Sequence, residues 1–230
     1  MAYILHFDTA TRVCSVGLSK DNQLISLKED KSLQYSHSTY LTTYAQEVLN
    51  QAGISFGQLS AVAVSMGPGS YTGLRIGVSA AKGICYALDL PLVSLNSLLV
   101  LAHLASNAGH QADFFVPMID ARRMEVYNAI YDNNLREVRK TQAEIIDTSS
   151  FLPFLEKGRT LFFGDGSAKC KETITHPNAV FISDIQSSVQ SMPQLAFSKY
   201  QSKEFEDIAY FEPFYLKDFV AGKPSVKGLR

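Results

Sequence analysis

The stretch GPGSYTGLRIG, residues 67–77, decides the fold of this chain. It follows the short apolar run AVAVS at 61–65, which has no polar face and predicts a strand covered on both sides. Two glycines flank a proline at its start and allow the backbone to turn sharply after that strand. The serine and threonine that follow offer hydroxyls that can cap a helix. The stretch therefore predicts a strand-to-helix turn in an α/β protein.

The residues of this turn leave two interpretations open. Its glycines can serve tight packing alone, or the free N–H groups at the start of the helix can bind an anion. A P-loop is disfavoured because Leu74-Arg75 follows Gly73, where a lysine and a hydroxyl residue are needed. The GxGxxG spacing of a dinucleotide-binding fingerprint is not met either.

The helix predicted after the turn, which runs to about Leu88, has an apolar surface too wide for one core. At 100° per residue, its polar side chains fall on one narrow stripe: Arg75, Ser79, Lys82 and Tyr86. The remaining arc covers roughly 220°, whereas a helix lying on one sheet needs about 100°. The excess predicts a second contact, either with another helix of this chain or with another protein. Small residues on this flank favour close helix packing: Gly73, Ala80, Gly83 and Ala87.

The rest of the chain predicts a duplicated α/β architecture. Three β-prone segments precede residue 31, and an apolar helical stripe follows from Leu41 to Ala52, with Ser36 or Ser38 as its cap. The first half therefore has the order βββαβαβα. The second half opens again with strands and ends in a tail that is loose at its end. We expect an N-terminal domain at 1–107 and a C-terminal domain at 108–230. The later elements are predicted as strands at 114–120, 125–131, 135–140, 160–164 and 179–183, and helices near 148–156 and 193–204.

Composition narrows the functional classes. The formal net charge is −1 and no basic run occurs, so tight binding of nucleic acid by the chain alone is not expected. The longest apolar stretch is too short to span a bilayer, and the start does not resemble a signal peptide, so we expect a cytoplasmic protein without membrane contact. Cys14, Cys85 and Cys170 are widely spaced and are predicted to be small buried residues in a reducing compartment.

The chain resembles the TsaB (YeaZ) family in four segments that occur in order over nearly its whole length. They are FDTATRVCSVGL (7–18), GPGSYTGLRIG (67–77), IDARRMEVYNAIY (119–131) and EPFYLKDFVAGKP (212–224). The resemblance implies the two-domain actin-like or sugar-kinase-like ATPase fold, a ribonuclease-H-like α/β architecture. This implication agrees with the duplicated pattern of strands and helices.

The resemblance also implies a function. The family is the non-catalytic member of the bacterial machinery that makes threonylcarbamoyladenosine in tRNA, next to the anticodon. It implies docking through first-domain helices to a TsaD-like transferase, a TsaE-like ATPase in the same assembly, and a homodimer in isolation. Contact with tRNA is then expected to be indirect only. The interface is expected at Tyr40, Tyr44, Gly73, Ile76, Gly77, Ala80, Gly83 and Ala87.

Several enzyme features expected of catalytic relatives are missing. The relatives bind metal through an HxxxH-type cluster, but residues 92–99 contain no histidine and the five histidines form no such pair, so we expect no metal. The hairpin at 9–12 contains no glycine to hold phosphate. Asp8, Thr9 and Asp120 remain as candidates for an ATP or ADP contact that a partner completes, and no tightly bound cofactor is expected. An actin-like ATP-binding protein, or an inactive relative of glycoprotease-type metalloproteins, stays as the alternative.

Overall fold

The chain forms two lobes, each built on one sheet. The nucleotide candidates Asp8 and Asp120 lie at the carboxyl end of the central strand of each lobe. The computed structural model describes residues 1–31 and 37–217. Its strands are β1 Tyr3–Asp8, β2 Cys14–Lys20, β3 Gln23–Asp30, β4 Ala61–Gly67, β5 Leu92–Asn96, β6 Phe114–Asp120, β7 Glu125–Asp132, β8 Glu137–Ile145, β9 Thr160–Phe163 and β10 Ala179–Phe181. Its α-helices are α1 His37–Ala52, α2 Tyr71–Leu88, α3 Ser97–Asn107, α4 Leu152–Leu155 and α5 Met192–Gln201. Short 3-10 turns lie at Phe56–Gln58, Ala168–Cys170 and Val189–Ser191.

Two five-stranded sheets repeat one arrangement. The first has the order β3-β2-β1-β4-β5 and the second has the order β10-β9-β6-β7-β8. In each, three sequential strands pair antiparallel, and the next two strands join parallel on the other side of the first strand. The predicted two-domain α/β fold is confirmed, and β1 and β6 are its equivalent central strands.

Helices cover both faces of the first sheet. The apolar stripe of α1, including Leu41 and Val48, packs with α2 against one face that contains Phe7 and Val64. The opposite face, which includes Ile4, is covered by α5. Because each face is dry, the β4 strand carries apolar residues on both sides, as its sequence predicts.

Two helices pack across the predicted domain boundary at residue 107. The two sheets fall on either side of residue 107, but α3 packs mainly against the second sheet and places Val100 against the first, and α5 packs against the first sheet. The segment from about residue 188 onward therefore belongs with the first lobe. Sequence periodicity identifies the apolar face of a helix, but it does not say which of two sheets that face covers.

The chain after α5, residues 202–217, crosses the first lobe as a segment of turns and irregular backbone. The backbone N–H of Glu206 donates to Leu92 O at 2.9 Å, and that of Phe214 donates to Met66 O at 2.7 Å. Lys82 Nζ on α2 donates to Phe211 O at 3.0 Å. The loose end predicted for the tail falls on residues 218–230, and the cap Ser36 on 32–36, both outside the described residues. Among the described residues, no helix combines the length and apolarity needed to cross a membrane.

Candidate functional site

The predicted strand-to-helix turn packs tightly against the β1–β2 hairpin. The backbone N–H of Ser70 donates to Ala10 O at 2.7 Å, and Ser70 Oγ caps the helix by accepting from Gly73 N at 3.3 Å. A Cβ added to Gly69 would lie 2.3 Å from Ala10 O. The glycine is thus required by the close approach of two backbones, which favours the packing interpretation of this turn over the phosphate loop.

Two glycines of the predicted interface face the interior of this chain. A Cβ on Gly73 would lie 2.1 Å from Thr9 O, and one on Gly77 would lie 2.3 Å from Thr9 Oγ1. Thr9 Oγ1 in turn donates to Gly73 O at 2.8 Å. Both glycines are therefore explained by packing on the β1–β2 hairpin, and they lie away from the exposed flank. The small residues of α2 look alike in sequence, whereas the fold divides them between two faces.

The other six predicted interface residues lie on α1 and α2, and each keeps part of its surface exposed to solvent. Ile76 and Ala80 are half-buried against the core, while Gly83 and Ala87 further along the same stripe are exposed. A Cβ on Gly83 would meet nothing within 4 Å, so the space outside α2 is open here. We call this surface the docking face. It consists of Tyr40, Tyr44, Ile76, Ala80, Gly83 and Ala87.

The α1 part of the docking face is aromatic. The rings of Tyr40 and Tyr44 stack with centroids 5.6 Å apart and planes 12° apart. Tyr40 remains 40% exposed. Tyr44 packs on the first-lobe core, and desolvation raises the pKa of its phenol, with smaller contributions from Asp30 and other neighbours. The docking face carries no formal charge at neutral pH, in contrast to the stripe with Arg75 and Lys82 on the same helix.

Asp8 lies sealed at the end of β1. It is 1% exposed, and both of its carboxylate oxygens are engaged. Oδ1 accepts from Ala10 N at 3.0 Å and from Ser65 Oγ at 2.7 Å, and Oδ2 accepts from Ser187 Oγ at 2.5 Å. Thr9 is fully buried beside it. These two residues, as placed, do not fit a site that holds the hydrated metal of a nucleotide.

Asp120, at the end of β6, is exposed by contrast. It forms an ion pair with Lys169 and accepts from Arg122 N at 2.9 Å. Its own backbone N–H donates to Asp165 Oδ1 at 3.0 Å. Asp8 and Asp120 thus have separate hydrogen-bond and ion-pair partners.

Ser187 and Ser188 are contacts that sequence patterns did not reveal. Both lie between β10 and the 3-10 turn before α5, where the chain returns to the first lobe. Ser187 reaches Asp8, 179 positions earlier, and Ser188 Oγ donates to Glu29 at 2.5 Å. Serines in a loop are not part of any periodic sequence pattern. These two reach the first lobe only because α5, which follows them, packs on the first sheet.

The described residues offer no cluster of three or more metal-ligating side chains. His6 is fully buried, its Nε2 lies 2.8 Å from Ser19 Oγ, and desolvation lowers its pKa to about 3. All three cysteines are buried, as predicted. Burial, followed by the charges of Asp30 and Asp8, raises the pKa of the Cys14 thiol to about 12, so this thiol is not a reactive thiolate.

Comparison with known proteins identifies the family. Residues 31–223 match the model of the family described as TsaD, tRNA N6-adenosine threonylcarbamoyltransferase. The Bacillus subtilis (strain 168) protein named tRNA threonylcarbamoyladenosine biosynthesis protein TsaB is 30% identical over 219 residues, which are 93% of each chain. This chain belongs to the TsaB family. A TsaB relative from Buchnera aphidicola subsp. Baizongia pistaciae is 29% identical over 229 residues, 94% of this chain and 98% of the relative.

A solved structure matches the TsaB-family fold. A Pseudomonas aeruginosa protein described by its similarity to peptidase YeaZ superposes with a TM-score of 0.83 and 22% identity, covering 94% of this chain and all (100%) of its own. At this identity the match supports the fold alone. Membership of the TsaB family connects the chain with the biosynthesis of threonylcarbamoyladenosine in tRNA.

Proposed function

We propose that this chain is the non-catalytic docking subunit of the assembly that forms threonylcarbamoyladenosine in tRNA. It pairs with a TsaD-like transferase subunit through the docking face of α1 and α2, and a TsaE-like ATPase joins the same cytoplasmic assembly. The observation that carries this proposal is the uncharged stripe on the outside of α2, which is small and open at Gly83 and Ala87.

The chemistry of the docking face suits a helix from another subunit. Packed helices lie about 8–10 Å apart, and glycine or alanine at the contact permits the shorter end of that range. Stacked tyrosines beside the stripe add a large, rigid surface of the type enriched at protein interfaces. Ile76 and Ala80 already touch the core, so a partner helix would extend an existing apolar cluster.

The absence of catalysis in this chain rests on the sealed end of β1. Asp8 is 1% exposed and accepts three hydrogen bonds from its own chain, so the folded chain leaves a metal-bound nucleotide no open approach to it. We therefore infer that no cofactor binds tightly and that any ATP or ADP contact is completed by the partner. In isolation, two copies of the chain associate through the same docking face. Self-association and transferase binding then exclude each other.

Co-expression of the chain with the TsaD-like subunit, followed by size-exclusion chromatography, tests this proposal. Gly83→Arg places a charged side chain in the open space outside α2, and we expect it to abolish co-elution while the variant stays folded. The control is Gln194→Arg, an exposed position on α5 at the opposite face of the same sheet, which should leave assembly intact. Co-elution of Gly83→Arg at micromolar concentration would show that the docking face is wrongly chosen. Separate migration of the unmodified pair would refute the subunit role itself.

A further inference from the structure

Three exposed arginines stand on two hairpins at the mouth between the lobes. Arg12 lies in the β1–β2 hairpin, and Arg122 and Arg123 lie in the β6–β7 hairpin. Among the described residues, none of these three guanidinium groups has an ion-pair partner within 4.0 Å. They are therefore available to a ligand from outside the chain.

The fold brings the two hairpins near one another. Each follows a central strand, β1 or β6, and the loop after β9 is tied to the end of β6 by a hydrogen bond from Asp120 N to Asp165 Oδ1 at 3.0 Å. Desolvation raises the pKa of Asp165 in that loop, although part of the residue remains open to solvent, and the Arg12 and Lys169 charges lower it. The charge of Arg12 in the first lobe thus acts on a second-lobe carboxylate. That carboxylate also accepts a hydrogen bond from Asp120 N, next to the arginine hairpin.

Nearby acidic groups do not cancel the arginines. Asp120 is paired with Lys169, and Glu125 is paired with Lys217. After these pairs are set aside, Asp165 is the remaining carboxylate of this cluster, and Arg12 is the arginine whose charge acts on it. The mouth between the lobes is therefore locally positive on a chain whose net charge is −1.

The backbone of the second hairpin does not favour arginine for its own stability. Arg122 has φ 71° and Arg123 has φ 52°, both in the left-handed region that glycine and asparagine adopt most easily. The turn is held by hydrogen bonds from Arg122 N to Asp120 Oδ1 at 2.9 Å and from Glu125 N to Arg122 O at 3.2 Å. The stability of the turn therefore does not explain two arginines at these positions. Their long cationic side chains indicate a role in binding a group outside the turn.

We propose that Arg12, Arg122 and Arg123 bind backbone phosphates of the tRNA that is modified. This proposal rests on the proposed function, because that function supplies tRNA as the polyanion. Guanidinium groups contact phosphate oxygens through a planar fork of donors, and such contacts hold nucleic acid without reading its sequence. Three exposed charges spread over two lobes suit a chain of phosphates better than one small anion. The contact with tRNA is then direct, in place of the indirect contact that the family resemblance implies.

The test uses the complex of this chain with the TsaD-like subunit and fluorescently labelled tRNA. Arg12→Gln and Arg122→Gln each remove one positive charge. Glutamine keeps a side chain at position 122, so this variant does not gain the backbone freedom that glycine would bring to the turn. We expect each variant to weaken tRNA binding about tenfold, measured by anisotropy, because a hydrogen bond to a charged group is lost. The slope of log affinity against log salt should fall by about one for each arginine removed.

The matched control is Arg136→Gln. Arg136 lies in the turn after β7, at the far end of the strand from the arginine hairpin, about 24 Å away at 3.4 Å per residue. Its tRNA affinity should equal that of the unmodified complex. The proposal would be overturned if Arg12→Gln and Arg122→Gln bound tRNA as tightly as the unmodified complex does. It would also be overturned if micromolar magnesium-ATP released the tRNA, because that result would mark a nucleotide site instead. Size-exclusion of each complex before RNA is added separates these outcomes from failure of the docking proposal.

Discussion

The carboxyl ends of β1 and β6 are equivalent places in the two lobes, yet one is sealed and the other is open. At the end of β1, Asp8 is 1% exposed and accepts three hydrogen bonds from its own chain. At the end of β6, Asp120 is exposed and has Lys169 as its ionic partner. The difference teaches that a duplicated fold does not duplicate roles. The first lobe uses its carboxylate to hold the chain together, and the second leaves its hairpin exposed to solvent.

At neutral pH the largest expected effect comes from removing the two carboxylates separately. Asp8→Ala leaves buried donors of Ala10, Ser65 and Ser187 without an acceptor, and we expect a loss of roughly 3 kcal/mol in the free energy of unfolding. Asp120→Ala removes an exposed ion pair and should cost less than about 1 kcal/mol. Urea unfolding followed by circular dichroism measures both. Similar losses in the two variants would show that the buried Asp8 and the exposed Asp120 contribute equally to stability, contrary to this expectation.

His6, on the same face of β1 as Asp8, should make the sealed lobe sensitive to acid. Desolvation lowers the pKa of His6 to about 3 in the folded chain, against about 6.5 when unfolded. The unfolded chain therefore binds more protons than the folded chain between these two pH values. Protonation of His6 leaves the free energy of unfolding unchanged above pH 6.5 and lowers it as the pH drops toward 3. The contribution is roughly 1.4 kcal/mol for each pH unit in this window.

Urea unfolding at several pH values, with His6→Gln as the comparison, measures the effect of His6. Glutamine has an amide that does not titrate, so the variant should show a shallower loss of stability between pH 6 and 4. An identical pH dependence in the two proteins would mean that other groups dominate acid unfolding.

The smallest expected effect concerns the open end. Arg123→Gly should raise the free energy of unfolding by roughly 0.5 kcal/mol, because relief of left-handed strain of about 1–2 kcal/mol exceeds the added entropy of unfolded glycine. The same variant should bind tRNA less well. A thermal melt and a tRNA titration on one preparation measure both quantities. Unchanged or lower stability would indicate that the hairpin backbone is not strained.

Much of the local structure could be predicted from the sequence. The apolar run of β4 and the turn after it predict a helix ending at about Leu88, and α2 spans Tyr71–Leu88. The first three strands and the antiparallel meander are confirmed as well. The helix predicted near 148–156 shortens to Leu152–Leu155, because short segments lack the several turns that make helical periodicity clear.

The candidate site could be predicted only in part. The stripe on α2 is visible from its period, but the separation of Gly73 and Gly77 from Gly83 is not. The first two contact Thr9 from the β1–β2 hairpin, whereas Gly83 faces open space. The net charge of the chain was equally limited as a guide, because a sum over all residues does not show that Arg12, Arg122 and Arg123 are exposed on hairpins that follow the central strands.

By itself, the sequence determined the class of the fold, its duplicated strand order, the strand-to-helix turn and the family. These depend on local periodicity, on glycine at a tight turn and on residues that stand next to one another along the chain. Only the tertiary structure decided which sheet α5 covers and that Ser187 donates a hydrogen bond to the carboxylate of Asp8. These contacts join segments more than one hundred residues apart, and their geometry depends on how the two sheets pack.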